Sequence, residues 1–436
     1  MRIAIALIAV GIAGATAYLG RRDLSRPPVV FGVLWFAFVA LAQLQLTTAE
    51  SDWSAGFAAA TIGGGLVFMI GALAAGGTRP ARGTVSLEPA QYMPRRLLAI
   101  ALVLMVGGTA GWVYKAHVLG GVPLLSDSVD IVRARAFAVG LPAWSSALTG
   151  GFYLAFWVLV AAAHITWKSA RPMQRAALLA LAAVSLFGVA LDGSRNLVLL
   201  AVIVPLVAGY VLLPRATRGL TVLRTTAAVA IVALIVGGLF VARFAHGQAG
   251  NTGNQFVQHQ LDSHSPLLRP FIPLYVNAVL PLDGSQSLRD AIPANAPWGR
   301  GAYSLMSLPD AAFPDGKPDY PGIVGRQLLT RGAGFWVVAT YQGRSYGDFG
   351  EAGVIVSSLL LGLMFGGAYR FAIGRSGLFA LALIGYIAHY TAYLTYDNLL
   401  SFTLIAFYDL VVVYVADRLA RRATLEGAPA ISAAAA

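Results

Sequence analysis

Apolar runs long enough to cross a bilayer follow one another along nearly the whole chain, and nothing else in the sequence constrains the fold as strongly. Hydrocarbon offers no partner to a bare N–H or C=O, so a spanning α-helix must close its own hydrogen-bond ladder over about 20 apolar residues. About eleven runs qualify, near 3–19, 29–46, 55–75, 97–118, 142–164, 176–191, 197–213, 225–245, 349–369, 377–396 and 399–416. The sixth and seventh are short and are parted only by Asp192, Gly193, Ser194, Arg195 and Asn196. Charged residues make up 11% of the 436 positions, against about 25% in soluble domains, which excludes a soluble enzyme. The expectation is one all-α, polytopic integral membrane domain over residues 1–436. The chain has no cysteine, so disulfides, thiolate metal sites and cysteine nucleophiles drop out.

The net charge of +12 would suit nucleic acid if the basic residues formed one patch. They fall instead in alternate loops: Arg21, Arg22 and Arg26; Arg79, Arg82, Arg95 and Arg96; Lys168, Arg171 and Arg175; Arg215, Arg218 and Arg224; Arg370 and Arg375; Arg418, Arg421 and Arg422. By the positive-inside rule these are cytoplasmic loops, which predicts an outside N-terminus, a cytoplasmic C-terminus and no nucleic-acid partner. Alternation through all eleven runs requires the 192–196 turn to be real. A cleaved signal peptide is the competing reading of the first run. Only Arg2 precedes that run while Arg21 and Arg22 follow it, which favours a retained helix. The Ala-rich tail, 423–436, is expected to be a disordered cytoplasmic segment.

Acidic residues show the opposite bias, with fourteen of nineteen on the external side. Two external loops are long: 119–141, with a short interfacial helix expected, and 246–348. A structureless stretch of about 100 residues is improbable in a compact protein, so short helices or a half-inserted segment are expected, with candidate pieces at 266–280, between Pro266 and Pro281, and at 321–340. Neither loop holds a glycine-rich phosphate loop, an Asp-x-Asp pair or a His-Glu-x-x-His motif.

Several constellations carry possible chemistry, each beside a plainer role. Arg195 sits in the minimal turn Asp192-Gly-Ser-Arg195, where a planar, permanently charged guanidinium can grip phosphate oxygens, or else pair with Asp192 or with lipid phosphates. Arg133 and Arg135, two apart, point to different faces, so at most one serves a given ligand; the plainer role is an amphipathic surface helix. Tyr341, Gln342, Arg344, Tyr346 and Asp348 combine aromatic faces with polar groups as sugar sites do, or else Tyr341 and Tyr346 form an aromatic belt with Phe349. In the long loop His246, His259, His264 and Asp262 are candidate proton acceptors, or else plain surface residues. Tyr386, Tyr390, Tyr393 and Asp397 share one helix face with His389 beside it, either as a packing seam or as the lining of a polar cavity. Lys115 and Arg243 are expected to snorkel toward the external surface.

The order of these pieces resembles a known family. Gly121-Val-Pro-Leu-Leu-Ser126 followed by Arg133, Asp192-Gly-Ser-Arg195, and Tyr346-Gly-Asp-Phe-Gly350 with Gly353 and Gly362 are similar to motifs of the bacterial O-antigen, or oligosaccharide repeat-unit, polymerases. The number of runs and the large late loop agree with that family. The resemblance implies a GT-C-like fold and a metal-independent glycosyltransferase without cofactor, in the cytoplasmic (inner) membrane. It would polymerise polyprenyl-diphosphate-linked oligosaccharide repeat units on the outer face, with a flippase and a chain-length regulator as partners. On that reading Arg195, Arg133 or Arg135, and Arg344 stabilise the leaving diphosphate, and His264, His246 or Asp348 takes the acceptor proton. Tyr341, Tyr346, Gln342, Tyr393 and Asp397 contact sugar. An O-antigen-ligase-like enzyme is the alternative within the class, and a lipid or polysaccharide transporter or flippase the alternative outside it.

Overall fold

A computed structural model of the chain describes residues 1–126 apart from 22, 48–49 and 82–83, then 132, 135, 139, 141–212, 259–260, 272–305, 322–326, 338–397 and 403–422. In chain order the main helices are α1 (Arg2–Leu19), α2 (Pro27–Ala42), α3 (Ala55–Ala74), α4 (Pro94–Leu119), α5 (Ala143–Thr166), α6 (Pro172–Ala190), α7 (Arg195–Leu212), α8 (Ile272–Ala291), α9 (Tyr341–Ile373), α10 (Leu378–Tyr393) and α11 (Thr403–Ala420). Every expected span among the described residues is a helix. The run at 225–245 and the tail at 423–436 lie outside the described residues. Six helices, α1, α3, α4, α5, α6 and α9, are long and apolar enough to cross a membrane, and α2, α7 and α10 are shorter apolar helices. The chain is a helical, multi-pass membrane protein, with no strand among the described residues beyond one isolated bridge between Tyr92 and Arg421.

Local sequence explains where the helices start and stop. Proline occupies the first turn of α2, α4 and α6, where its missing N–H costs no ladder bond. The Ser54 and Thr340 hydroxyls accept from the backbone N–H of Phe57 and Gly343 at the starts of α3 and α9. Gly120 ends α4 in the left-handed conformation at φ 70°.

Without a hydrophobic force between helices in lipid, close packing needs small residues at the contacts. The pairs α4/α5, α3/α9, α1/α2 and α7/α10 pack most extensively. A Cβ on Gly71 of α3 would meet the Leu359 carbonyl at 2.7 Å, and one on Gly366 of α9 would meet the Ala72 Cα at 2.9 Å. Gly362 leaves the same room for Ala72, whose nitrogen lies 3.0 Å from where its Cβ would stand. Gly111 packs likewise against the Thr149 nitrogen at 2.9 Å, and Gly385 of α10 against the Val204 carbonyl of α7 at 2.7 Å. Lys115 does not snorkel. It is buried between α4 and α5, donating to the Thr149 hydroxyl at 3.0 Å and lying 5.5 Å from the Trp112 ring, because Thr149 supplies an acceptor closer than the surface.

The bundle has two unlike ends. At the end carrying the basic loops, buried Asp23 accepts from Ala81 N–H at 2.6 Å and the Tyr369 hydroxyl at 3.0 Å. Asp417 there accepts from the Tyr92 hydroxyl at 2.5 Å and from Arg421 at 2.7 Å. At the acidic end Arg2 pairs with Asp52, and α8 lies over α2 and α9. Tyr275 of α8 donates to Glu50 at 2.5 Å, and Gln286 donates to the Asp52 carbonyl at 3.0 Å. Behind α8 a small second core gathers Ile272, Val276, Leu280, Leu288, Ile292 and Tyr303.

Two expected boundaries are corrected here. The helix expected to stop at Pro281 continues through it to Ala291, and the Pro281 carbonyl accepts from the Ser285 hydroxyl of the next turn at 2.8 Å and from Thr340 N–H at 3.3 Å, which ties α8 to the start of α9. The long loop ends at Thr340 rather than 348, since Thr340 caps α9 and Tyr341 begins it. Within 321–340 only 322–326 is described as helical.

Two predictions follow from this packing. Gly362→Leu should separate α3 from α9 and destabilise the fold by about 1–3 kcal/mol, read as a lowered Tm in detergent. Burial pushes the Glu50 carboxyl above its usual value of 4.5, more than its bonds from Tyr275 and Thr47 lower it. The folded chain then holds this proton more tightly than the unfolded chain, so stability declines as pH rises through the folded value. Glu50→Gln should flatten that decline in Tm between about pH 4.5 and neutrality.

Candidate functional site

The site is built around a break in α9. Phe349 (φ −143°, ψ 17°) and Gly350 (φ 66°, ψ −151°) leave the helical region, so Tyr341–Asp348 and the following stretch are two helical pieces. Only glycine adopts the Gly350 conformation cheaply, and a Cβ there would meet the Trp298 ring at 3.3 Å. Asp348, just before the break, is 1% exposed. Its two oxygens accept from Tyr303 N–H and Ser304 N–H, each at 2.9 Å. Gly299 N–H donates to the Gly347 carbonyl at 2.9 Å and Arg300 N–H to the Asp348 carbonyl at 3.3 Å. Residues 299–304 are thereby pinned over the break.

Arg344 stands one turn before Asp348 on the inner face of this piece, 6% exposed. Its Nη2 meets Asp397 Oδ1 at 2.5 Å, and Nη1 donates to the Tyr303 carbonyl at 3.5 Å. Asp397 follows the end of α10, so this ion pair joins α9, α10 and the pinned segment. On the other flank Arg289 of α8 reaches Glu351 at 2.5 Å and lies 5.0 Å from the Tyr346 ring, which packs on Trp298 at 5.8 Å. Below the break a groove of about 510 Å³ runs down α9 past Phe349, Gly353, Val356, Leu360 and Met364, with Ser304 and Ser345 at its upper end. Its walls are almost wholly apolar, with Ser304, Ser345 and Ser357 among them.

The two other motif segments meet each other at the same end. Leu124, in the short 3₁₀ turn Pro123–Leu125, donates its N–H to the Leu191 carbonyl at 3.1 Å, which joins the Gly121–Ser126 loop to the turn before Arg195. Arg195 is the first residue of α7. Gly385 touches Val204, and α7 and α10 run antiparallel, so nine residues along each from that contact bring Arg195 level with Leu394, about 13 Å above it. The Arg195 backbone therefore belongs to the same layer as Asp397 and Arg344.

The remaining candidates fall differently. Arg135 donates to the Leu119 carbonyl at 2.7 Å and so closes the end of α4, whose last carbonyls attract a cation. Tyr341 is 1% exposed and packs in the bundle interior against Trp35 at 5.7 Å, rather than in an aromatic belt. Its hydroxyl bonds Ser358 at 3.0 Å and accepts from Gln342 at 3.1 Å, so these two polar side chains are occupied with each other. Tyr393, next to Tyr396 at 5.7 Å, leads from α10 to Asp397. Arg133, His246, Asp262 and His264 lie outside the described residues, as does the Arg195 side chain. No trio of His, Asp and Glu fit to hold a metal occurs among the described residues. Sequence reasoning missed Trp298, Arg289 and the backbone of Tyr303 and Ser304. The signal was Pro297-Trp-Gly-Arg-Gly301, whose glycines and proline mark a tight turn.

Fold and site thus define a multi-pass membrane protein with a buried Arg344–Asp397 pair and an apolar groove beside a helix break at its acidic end. Compared with protein-family models, with curated proteins and with solved structures, the chain matches none.

Gly350→Ala should cost about 1–3 kcal/mol through backbone strain alone. Asp348→Ala, which strands two backbone N–H groups, should cost about 3 kcal/mol. For both, limited proteolysis is expected to cut near 299–304 at rates well above those of the unaltered chain.

Proposed function

We propose that the protein is a membrane glycosyltransferase that polymerises polyprenyl-diphosphate-linked oligosaccharide repeat units on the outer face of the cytoplasmic membrane. The observation that carries this reading is the buried Arg344–Asp397 pair in the same layer as the Arg195 turn, with an apolar groove that starts beside Ser345 on the Arg344 helix piece. A diphosphate needs fixed cations and a prenyl chain needs an apolar channel. The motif resemblance supplies the reaction class. The acidic end faces outward and the basic loops face the cytoplasm, with about eleven spans in a GT-C-like arrangement.

As the bond from C1 to the leaving diphosphate breaks, negative charge grows on the phosphate oxygens. Guanidinium groups held in place before the reaction stabilise that charge without reorganising. Arg344 is held by Asp397 and Tyr303, so its position is set by α9 and α10. Asp348 serves the site by pinning 299–304, and the proton acceptor is assigned to His264 or His246. An O-antigen-ligase-like enzyme would use the same layer with a different acceptor.

In vitro extension of a lipid-linked repeat unit tests the proposal. Arg195→Ala and Arg344→Ala are each expected to lower the rate by roughly a hundredfold, about 3 kcal/mol, with Arg195→Lys recovering only part. Ladders of ordinary length from folded Arg195→Ala and Arg344→Ala proteins would remove these arginines from the mechanism. Because the chain lacks cysteine, Ser51→Cys and Thr84→Cys each carry a single thiol. An impermeant thiol reagent should label position 51 from outside intact cells and leave position 84 unlabelled.

A further inference from the structure

The helix α10 is enclosed on all sides, with Leu378 and every residue from Ala380 to Thr391 buried. An enclosed membrane helix would be expected to be wholly apolar, yet this one carries Tyr386, His389, Tyr390, Thr391 and Tyr393. His389 is 3% exposed, and neither ring nitrogen has a hydrogen-bond partner among the described residues. The Thr391 hydroxyl is in the same condition. For packing alone phenylalanine would serve better at 389, because a buried polar group without a partner is destabilising. Nearby Asp409 of α11 is fully buried. It accepts from the Tyr153 hydroxyl at 2.7 and 2.8 Å and from the Tyr386 hydroxyl, and no cationic side chain pairs with it among the described residues.

These groups form a continuous column. The Tyr386 and Tyr390 rings stack at 5.4 Å, His389 lies 5.2 Å from Tyr390 and 6.2 Å from Tyr393, and Tyr393 lies 5.7 Å from Tyr396. Asp397 and Arg344 close its upper end. The facing ionisable groups are phenols: Tyr153 from α5, Tyr386, Tyr390 and Tyr393 from α10, and Tyr408 from α11. Among the described residues the charged groups at its upper end are Arg344 of α9 and Asp397, and α4, which packs on α11, carries its ionisable groups, Arg95, Arg96, Tyr114, Lys115 and His117, toward its two ends. α2 brings no ionisable side chain, and α7 only Arg195 and Tyr210 near its ends.

We propose that Asp409 and His389 are the proton-binding groups of a relay inside the bundle that exchanges protons with the acidic end at Arg344–Asp397. A proton held on the Asp409 carboxyl passes to the Tyr386 oxygen as that phenol releases its own proton, through a water, to a ring nitrogen of His389. At each hop one bond to hydrogen breaks as another forms, so one proton has moved and Asp409 is left as a carboxylate accepting from Tyr153 and Tyr386. No protein group among the described residues occupies the ring nitrogens of His389, which leaves one open to take this proton. The relay is independent of glycosyl transfer, and it would also serve proton-coupled transport.

Infrared spectroscopy of the full chain in nanodiscs tests the relay without any substrate. A protonated-carboxyl band that Asp409→Asn removes should shift in D2O, since the relay reaches water. Its titration midpoint should move by about one pH unit or more in His389→Gln, because the two groups are coupled. Absence of such a band, a band that does not exchange in D2O, or a midpoint indifferent to His389→Gln would each overturn the proposal. If Asp409→Asn fails to fold, Tyr386→Phe takes its place: it keeps the ring and should shift the band, and an unchanged band counts against the relay.

Discussion

Breaking a membrane helix at Phe349 and Gly350 frees backbone groups that hydrocarbon cannot satisfy, and the acidic end of the protein is arranged around that constraint. Segment 299–304 covers the break and the Asp348 carboxylate holds it there through two backbone N–H groups. The cover in turn needs a floor, which α8 provides by tying itself to Glu50, Asp52 and Thr340. Arg344 is placed by the same piece of helix. Its pairing with Asp397 fixes the end of α10, so the break, the cap and the ion pair form one device.

The membrane itself shaped what could be read from sequence. Spanning helices leave long apolar runs, and six long helices are visible by composition alone. The start of α9 was hidden for the opposite reason: Tyr341-Gln-Gly-Arg-Ser-Tyr-Gly-Asp348 is polar and glycine-rich, and it is helical because Thr340 caps it and α8 packs on it. Pro281 misled likewise, since α8 runs through it and its carbonyl is bonded by Ser285 and Thr340. Position along a helix does not reveal depth, so Tyr341 and Lys115 looked like surface residues although both point into the bundle. Asp348 and Arg344 were legible as polar residues at a membrane boundary. Their roles depend on Tyr303 and Asp397, partners 45 and 53 residues away that no local pattern announces.

Polar residues in this bundle are therefore of two kinds. Asp23 and Asp348 are bonded by backbone and hydroxyl donors, Asp417 by these and by the Arg421 guanidinium, and all three hold segments together. Among the described residues His389 has no hydrogen-bond partner, and Asp409, although tied to Tyr153 and Tyr386, lies in the membrane interior without a cation. The distinction rests on hydrogen-bond bookkeeping rather than on residue type. It separates the column on α10 from the structural ties at both ends.

The central claim is that this layer transfers a growing glycan from one polyprenyl diphosphate to the sugar of another. The most direct measurement supplies the purified protein, reconstituted in nanodiscs, with a single polyprenyl-diphosphate-linked repeat unit and no nucleotide sugar, and resolves the products by size. A ladder whose rungs differ by one repeat unit, with polyprenyl diphosphate released at each step, is the predicted result. A glycan that remains one repeat unit long while other membrane glycosyltransferases extend the same substrate would contradict the account.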